Sequence, residues 1–197
     1  MKDLLQALRK EAKGCRACPL WENATQTVFG EGDGNAEVML VGEQPGDEED
    51  IAGRPFVGPS GRLLDRALLA AGVDRAKVYV TNAVKHFKWQ LRGKRRLHKT
   101  PAQREVDACH QWMEKEIAAI RPKVIVCLGA TASRALLGPA FRVSTMRGRF
   151  VDSPWAGHVF ATLHPSALLR LRDEEEKEAA FRRLVSDLGL IREALGS

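Results

Sequence analysis

The chain has 197 residues, 44% of them hydrophobic and 28% charged, which is enough apolar material for the core of one ordinary domain and too much for a disordered or fibrous protein. No apolar run approaches the roughly 18 to 20 residues a membrane span needs, so a cytoplasmic location without a membrane partner is expected. Net charge is +6; eight of the 31 basic residues lie between Thr81 and Arg104, where there is no acid, and the other 23 are matched against 25 acidic residues. The positive excess therefore sits in one segment, which suits a polyanion such as nucleic acid, with a solvated basic loop as the plain alternative.

Met1 to Cys15 reads as an amphipathic helix. Four short β-branched apolar runs follow, at Glu37 to Gly42, Lys77 to Val84, Lys123 to Gly129 and His158 to Leu163, each closed by Gly, Pro or polar residues. Helical spacing appears at Gly61 to Ala71, with Ser60 as its expected cap, at Ala102 to Ile120, and at Asp173 to Leu195, which opens on acidic residues. The basic stretch Lys85 to Pro101 reads as a long loop. Strands alternating with helices predict an α/β fold, a three-layer α/β/α sandwich around a central, mostly parallel four-stranded sheet, with residues 1–197 as a single domain. Ligands of such sheets bind beyond the carboxyl ends of the strands. Glu43, Gln44, Asp47, Asn82, Lys85, His86, His164 and Ser166 all follow or end strands, so chemically capable residues collect at one edge.

Cys15 and Cys18 form a C-x-x-C pair, and Cys109 and Cys127 stand on a predicted helix and strand. Four thiols match the ligand count of one [4Fe-4S] cluster or of a tetrahedral zinc. A thioredoxin-like redox role does not fit, because the pair follows a helix instead of a strand. Cys109 and Cys127 could equally be small buried hydrophobes.

These motifs resemble those of the iron-sulfur uracil-DNA glycosylases of family four and, more closely, their family X (UdgX-type) relatives. The resemblance is carried by Gly42-Glu43-Gln44-Pro45-Gly46-Asp47, the run Gly53 to Gly61, Thr81 to His86, Lys94-Arg95-Arg96-Leu97-His98, His164 to Arg170 and the four cysteines, and it covers nearly the whole chain. Gln44 in place of the usual Ala, and the basic segment ending in His98, are the features that point to family X. The resemblance implies uracil removal from DNA by a protein that stays covalently attached to the abasic site through His98; the aromatic residues Phe87 and Trp89 among the cations suit single-stranded DNA, and a monomer is expected. The resemblance also implies a structural [4Fe-4S] cluster on Cys15, Cys18, Cys109 and Cys127. Turnover hydrolysis without capture, and DNA binding without chemistry, are the alternatives.

The implied roles follow the charges of the reaction. Breaking the N-glycosidic bond leaves an oxocarbenium-like sugar and a uracil anion. His164 is expected to donate to uracil O2, with Gln44 orienting it, and Glu43 to stabilise the sugar cation. Asn82 has the donor and acceptor that match uracil O4 and N3–H and mismatch cytosine. Phe56 is the expected stacking face for a flipped base, with Gly42 and Asp47 completing the pocket. His98 is the expected nucleophile, kept uncharged by neighbouring Lys94, Arg95, Arg96 and Lys99; a phosphate contact is its plainer role. Lys94, Arg95, Arg96, Ser60, Ser166 and Arg170 are candidate DNA contacts, and Phe87 and Trp89 could stack on exposed bases or simply anchor the loop.

Overall fold

The computed structural model describes residues 2–196. Helix α1 (Lys2–Ala12) leads into a short 3-10 helix at Pro19–Glu22 and then into strand β1 (Val38–Gly42). The chain continues through α2 (Asp47–Ala52), α3 (Pro59–Ala70), β2 (Val78–Asn82), β3 (Trp89–Arg92), β4 (Arg95–His98) and α4 (Gln103–Ile120). It ends with β5 (Val124–Leu128), α5 (Gly129–Leu137), α6 (Val143–Met146), β6 (Phe150–Val151), β7 (His158–Thr162), α7 (Pro165–Leu169) and α8 (Glu174–Leu195).

The main sheet has the order β2-β1-β5-β7-β6, parallel except for β6. Its strands are apolar throughout because both faces are covered. Met39, Val41, Tyr79, Ile125 and Cys127 point into one core, with α1, α4 and α5. Val38, Leu40, Val80, Val126 and Phe160 point into the other, with α3 and α8. This is the expected three-layer α/β/α arrangement, with five strands in the sheet instead of four. The extra strand, β6, is an antiparallel edge of two residues, too short to leave a periodicity in sequence.

Two local expectations are corrected. Ser60 does not cap its helix: Gly58 holds the cap position and Pro59 takes the first turn, where its missing N–H is no loss. The basic stretch is not an irregular loop but a β-hairpin, β3 against β4, turned through Gly93 at φ 60° and Lys94. Among the described residues no helix is long and apolar enough to cross a membrane.

Candidate active site

The carboxyl ends of β1, β2, β5 and β7 open onto one cavity of about 630 Å³. Its walls include Glu43, Gln44, Phe56, Ser60, Asn82, His98, His164, Ser166 and Arg170, so the topology gathers most of the residues picked out from the sequence. Asp47, Lys94, Arg95 and Arg96 are not among its lining residues.

One wall is shaped for a flat ring. Phe56 has a positive φ of 57°, a conformation that costs a bulky residue on the order of 1–3 kcal/mol and here turns the ring toward the strand ends. Its ring lies 6.2 Å from that of His164 at an interplanar angle of 29°. Gly42 lies directly behind: a Cβ there would come within 2.4 Å of Asn82 Oδ1 and 2.7 Å of Phe56 Cζ. A Cβ at Gly61 would strike the Phe56 carbonyl. The two glycines thus let Asn82 and Phe56 approach the backbone, leaving a slot with an amide at its end.

His164 caps α7, with Nδ1 accepting from the Ser166 backbone N–H at 3.1 Å. That bond assigns the ring proton to Nε2 and makes the ring a neutral donor. Burial pushes its pKa down to about 4, against the opposing pull of the Glu43 carboxylate. Gln44 does not orient it. The Gln44 carboxamide instead accepts from Lys88 N at 3.0 Å and donates to Lys88 O and Lys99 O, the two residues that bracket the hairpin. The expected His164 contact is replaced because β3 and β4 bring their two open ends over the buried amide.

His98 stands on the last position of β4, paired with Trp89, and its Nε2 lies 3.2 Å from Glu43 Oε1. Thr131 Oγ1 donates to the other oxygen, Oε2. Burial raises the Glu43 pKa, but the bonds from His98 and Thr131 outweigh it and hold the carboxyl below its usual range. A carboxylate set by Thr131 and placed within reach of an imidazole has the geometry of a base beside a nucleophile. Sequence reasoning missed Thr131, although it stands one turn beyond the end of β5, at the same sheet edge as the other candidates.

A two-stranded hairpin is marginal by itself, so its attachments matter. Arg96 bonds to Asp50 at 2.7 Å and pairs with Asp47, and its guanidinium lies over the rings of Phe87 and Trp89. Trp89 Nε1 donates to Asn23 O, and Lys88 pairs with Glu105. Three expectations change accordingly. Arg96 is turned inward onto carboxylates and not toward a DNA backbone; Asp47 is its partner and not a pocket wall; Phe87 is buried at 1% exposure and cannot stack on a base. The group against His98 is the Glu43 carboxylate, and of the four cations expected around it Arg96 is turned away onto Asp47 and Asp50. Lys85 is fully buried, so the exposed cations of this segment are Arg92, Lys94, Arg95, Lys99 and Arg104.

The model of the Uracil DNA glycosylase superfamily matches residues 29–189. The chain belongs to this superfamily. It is 40% identical over 187 residues to a protein of Thermotoga maritima named type-4 uracil-DNA glycosylase, covering 93% of this chain and 90% of the other. A protein of the same name from Pyrobaculum aerophilum is 37% identical, with 90% and 92% covered. A type-5 uracil-DNA glycosylase of that organism is 31% identical, with 95% and 88% covered.

In this member of the superfamily the cysteines divide three to one. Trp112 Nε1 donates to Cys15 Sγ at 3.2 Å, Lys85 N donates to Cys109 Sγ at 3.2 Å, and the Leu20 backbone donates to Cys18. N–H donors aimed at sulfur suit thiolates that carry iron or zinc. Cys127 has no such donor. It lies in β5 opposite Val41, and Val41 in turn faces Thr81, so two strand spacings, roughly 10 Å, separate it from β2, beyond whose end Cys109 sits. Its expected place among the ligands is corrected: it is a buried thiol in an apolar core, raised to about 12 by burial alone. Among the described residues no three His, Cys, Asp or Glu side chains converge tightly enough to hold a metal ion. Three of the donors suit a cluster in chemistry, and the four-cysteine set does not fit.

Proposed function

We propose that this protein is a uracil-DNA glycosylase of the family X type, which excises uracil from DNA and is captured on the abasic sugar by His98. The uracil-DNA glycosylase names of its relatives support the excision. The observation that carries the capture is the approach of Glu43 Oε1 to His98 Nε2, at 3.2 Å, at the mouth of the cavity.

A flipped uracil enters the slot beside Phe56, where the Asn82 carboxamide pairs with N3–H and O4. As the N1–C1′ bond breaks, its electron pair stays on uracil, and the His164 Nε2–H donates to O2, where charge develops. The Glu43 carboxylate faces the sugar cation. A ring nitrogen of His98 then bonds to C1′ with its lone pair, while the ring proton passes to Glu43. Exposed Lys94 and Arg95, with Ser60, Ser166 and Arg170 at the cavity rim, hold the phosphates on either side. Single-stranded DNA is the preferred form, since it gives up a base without the cost of unpairing. An iron-sulfur cluster, if bound, is held by Cys15, Cys18 and Cys109 without Cys127, and no step above depends on it.

The test is a denaturing gel of the protein with uracil-containing single-stranded DNA and a thymine control. A slower-migrating adduct with the uracil strand alone is expected, and His98→Ala should abolish it while uracil release continues. The turnover reading is favoured by the type-4 name of the Thermotoga maritima and Pyrobaculum aerophilum relatives. Released uracil with open abasic sites and no adduct would establish that reading and overturn capture.

A further inference from the structure

Lys85 belongs to the basic segment by sequence and to the interior by structure. Its side chain and that of Glu116, near the C-terminal end of α4, are both fully buried, and Nζ bonds to Glu116 Oε2 at 2.5 Å. Every donor of the ammonium is used, the other two bonds going to Thr81 Oγ1 at 2.6 Å and to the backbone carbonyl of Asn82 at 2.8 Å. Glu116 is equally occupied, accepting from Tyr79 OH, Thr81 Oγ1 and Gly30 N.

Removing two charges from water is costly, and well-packed apolar residues often replace such pairs without loss of stability. The pair is therefore poorly explained as a source of stability, but its bonds converge on one place. Thr81 and Asn82 end β2, and Asn82 is the residue whose amide closes the slot. On one side the Asn82 carboxamide is confined by Gly42, where even a Cβ would collide with Oδ1. On the other side the Asn82 backbone carbonyl accepts from Lys85 Nζ. A carboxamide that must meet two edges of a base tolerates little displacement.

We propose that the Lys85–Glu116 ion pair is a positioning device for base recognition, acting through Asn82. This rests on the reading of the cavity as a uracil site. Its mark is non-additivity with Asn82, because residues acting through a common partner are coupled whereas independent ones add.

The experiment compares single-turnover uracil release, with enzyme in excess, in four proteins: wild type, Lys85→Met with Glu116→Gln, Asn82→Ala, and the combination. The paired substitution removes both charges together and so leaves no lone buried ion. It should lower the maximal rate about tenfold or more while the half-saturating enzyme concentration changes little. In the Asn82→Ala background it should change the rate by no more than about twofold. Equal losses in both backgrounds would overturn the proposal and leave a purely structural pair. If wild type releases no uracil, the functional reading fails first and this proposal falls with it. Should the paired variant not fold, Tyr79→Phe removes one bond to Glu116 and keeps the ring; the same pattern in smaller measure is expected, and an unchanged or additive rate overturns the proposal.

Discussion

Glu43 Oε1 lies 3.2 Å from His98 Nε2, although one residue leaves the end of a central strand and the other rides on a separate hairpin. The contact exists because the hairpin is fastened at its base by Gln44 and along its side by Arg96. Preorganisation of this kind replaces a search by a mobile loop with a fixed approach.

Gln44→Ala should therefore weaken capture more than excision. It removes three half-buried hydrogen bonds at the neck of the hairpin, each worth about 0.5–1.5 kcal/mol. Adduct yield on a denaturing gel should fall about tenfold or more, with a smaller fall in free uracil. Equal losses in the two readouts would show that Gln44 serves the excision step instead.

Gly42→Ala places a methyl within 2.4 Å of Asn82 Oδ1 and 2.7 Å of Phe56 Cζ. Uracil release should drop about a hundredfold, since the amide or the ring must shift, a displacement of the scale that carries such losses. Near-normal release would mean that the base does not occupy this slot.

Thr131→Val keeps the shape of the side chain and deletes its bond to Glu43. Without that bond the Glu43 pKa, now held down, should move up, so the carboxylate is protonated at higher pH. In a pH–rate profile of adduct formation the acid limb should move to higher pH, and an unmoved limb would assign it to another group.

His164 has its pKa pushed to about 4 by burial, so it is neutral throughout the range where an ordinary histidine titrates. The neutral Nε2–H form, with Nδ1 accepting from Ser166, prevails above that value; as pH falls through it Nδ1 takes a proton and that bond is lost. In His98→Ala, which lacks the other imidazole of the cavity, uracil release should stay level from about pH 8 to 6. A midpoint near the usual histidine value would refute the neutral-donor role.

The sulfur pattern predicts unequal effects on iron content. Cys109→Ser should abolish or sharply reduce iron and acid-labile sulfide in the purified protein. Cys127→Ala should leave both at wild-type levels and cost only about 1 kcal/mol of stability through a small cavity. Loss of iron from Cys127→Ala would return that thiol to the ligand set.

The layers of the fold were legible in the chain because buried parallel strands and amphipathic helices each impose a period on their apolar residues. Val38 to Gly42 and Val124 to Leu128 lie inside the expected runs, and α4 begins one residue inside its expected span. The two-residue strand β6 had no period to show. The candidate residues could also be gathered in advance, since strand ends share one sheet edge, and the cavity contains most of them.

Partnership was not legible, because a hydrogen bond or an ion pair depends on which distant group arrives opposite, and no local pattern records that. Lys85, Lys88 and Arg96 read as free cations until Glu116, Glu105 and two aspartates of α2 were brought against them. Thr131 met Glu43, Gln44 met the hairpin and Cys127 was left apart from the other thiols by the order of strands in the sheet. By itself the sequence determined the four parallel strands and the long helices, the layered class and the pool of chemical groups. Which charges face solvent, which face each other, and which imidazole stands over the carboxylate were decided by tertiary contacts, whose energies exist only once the chain has closed on itself.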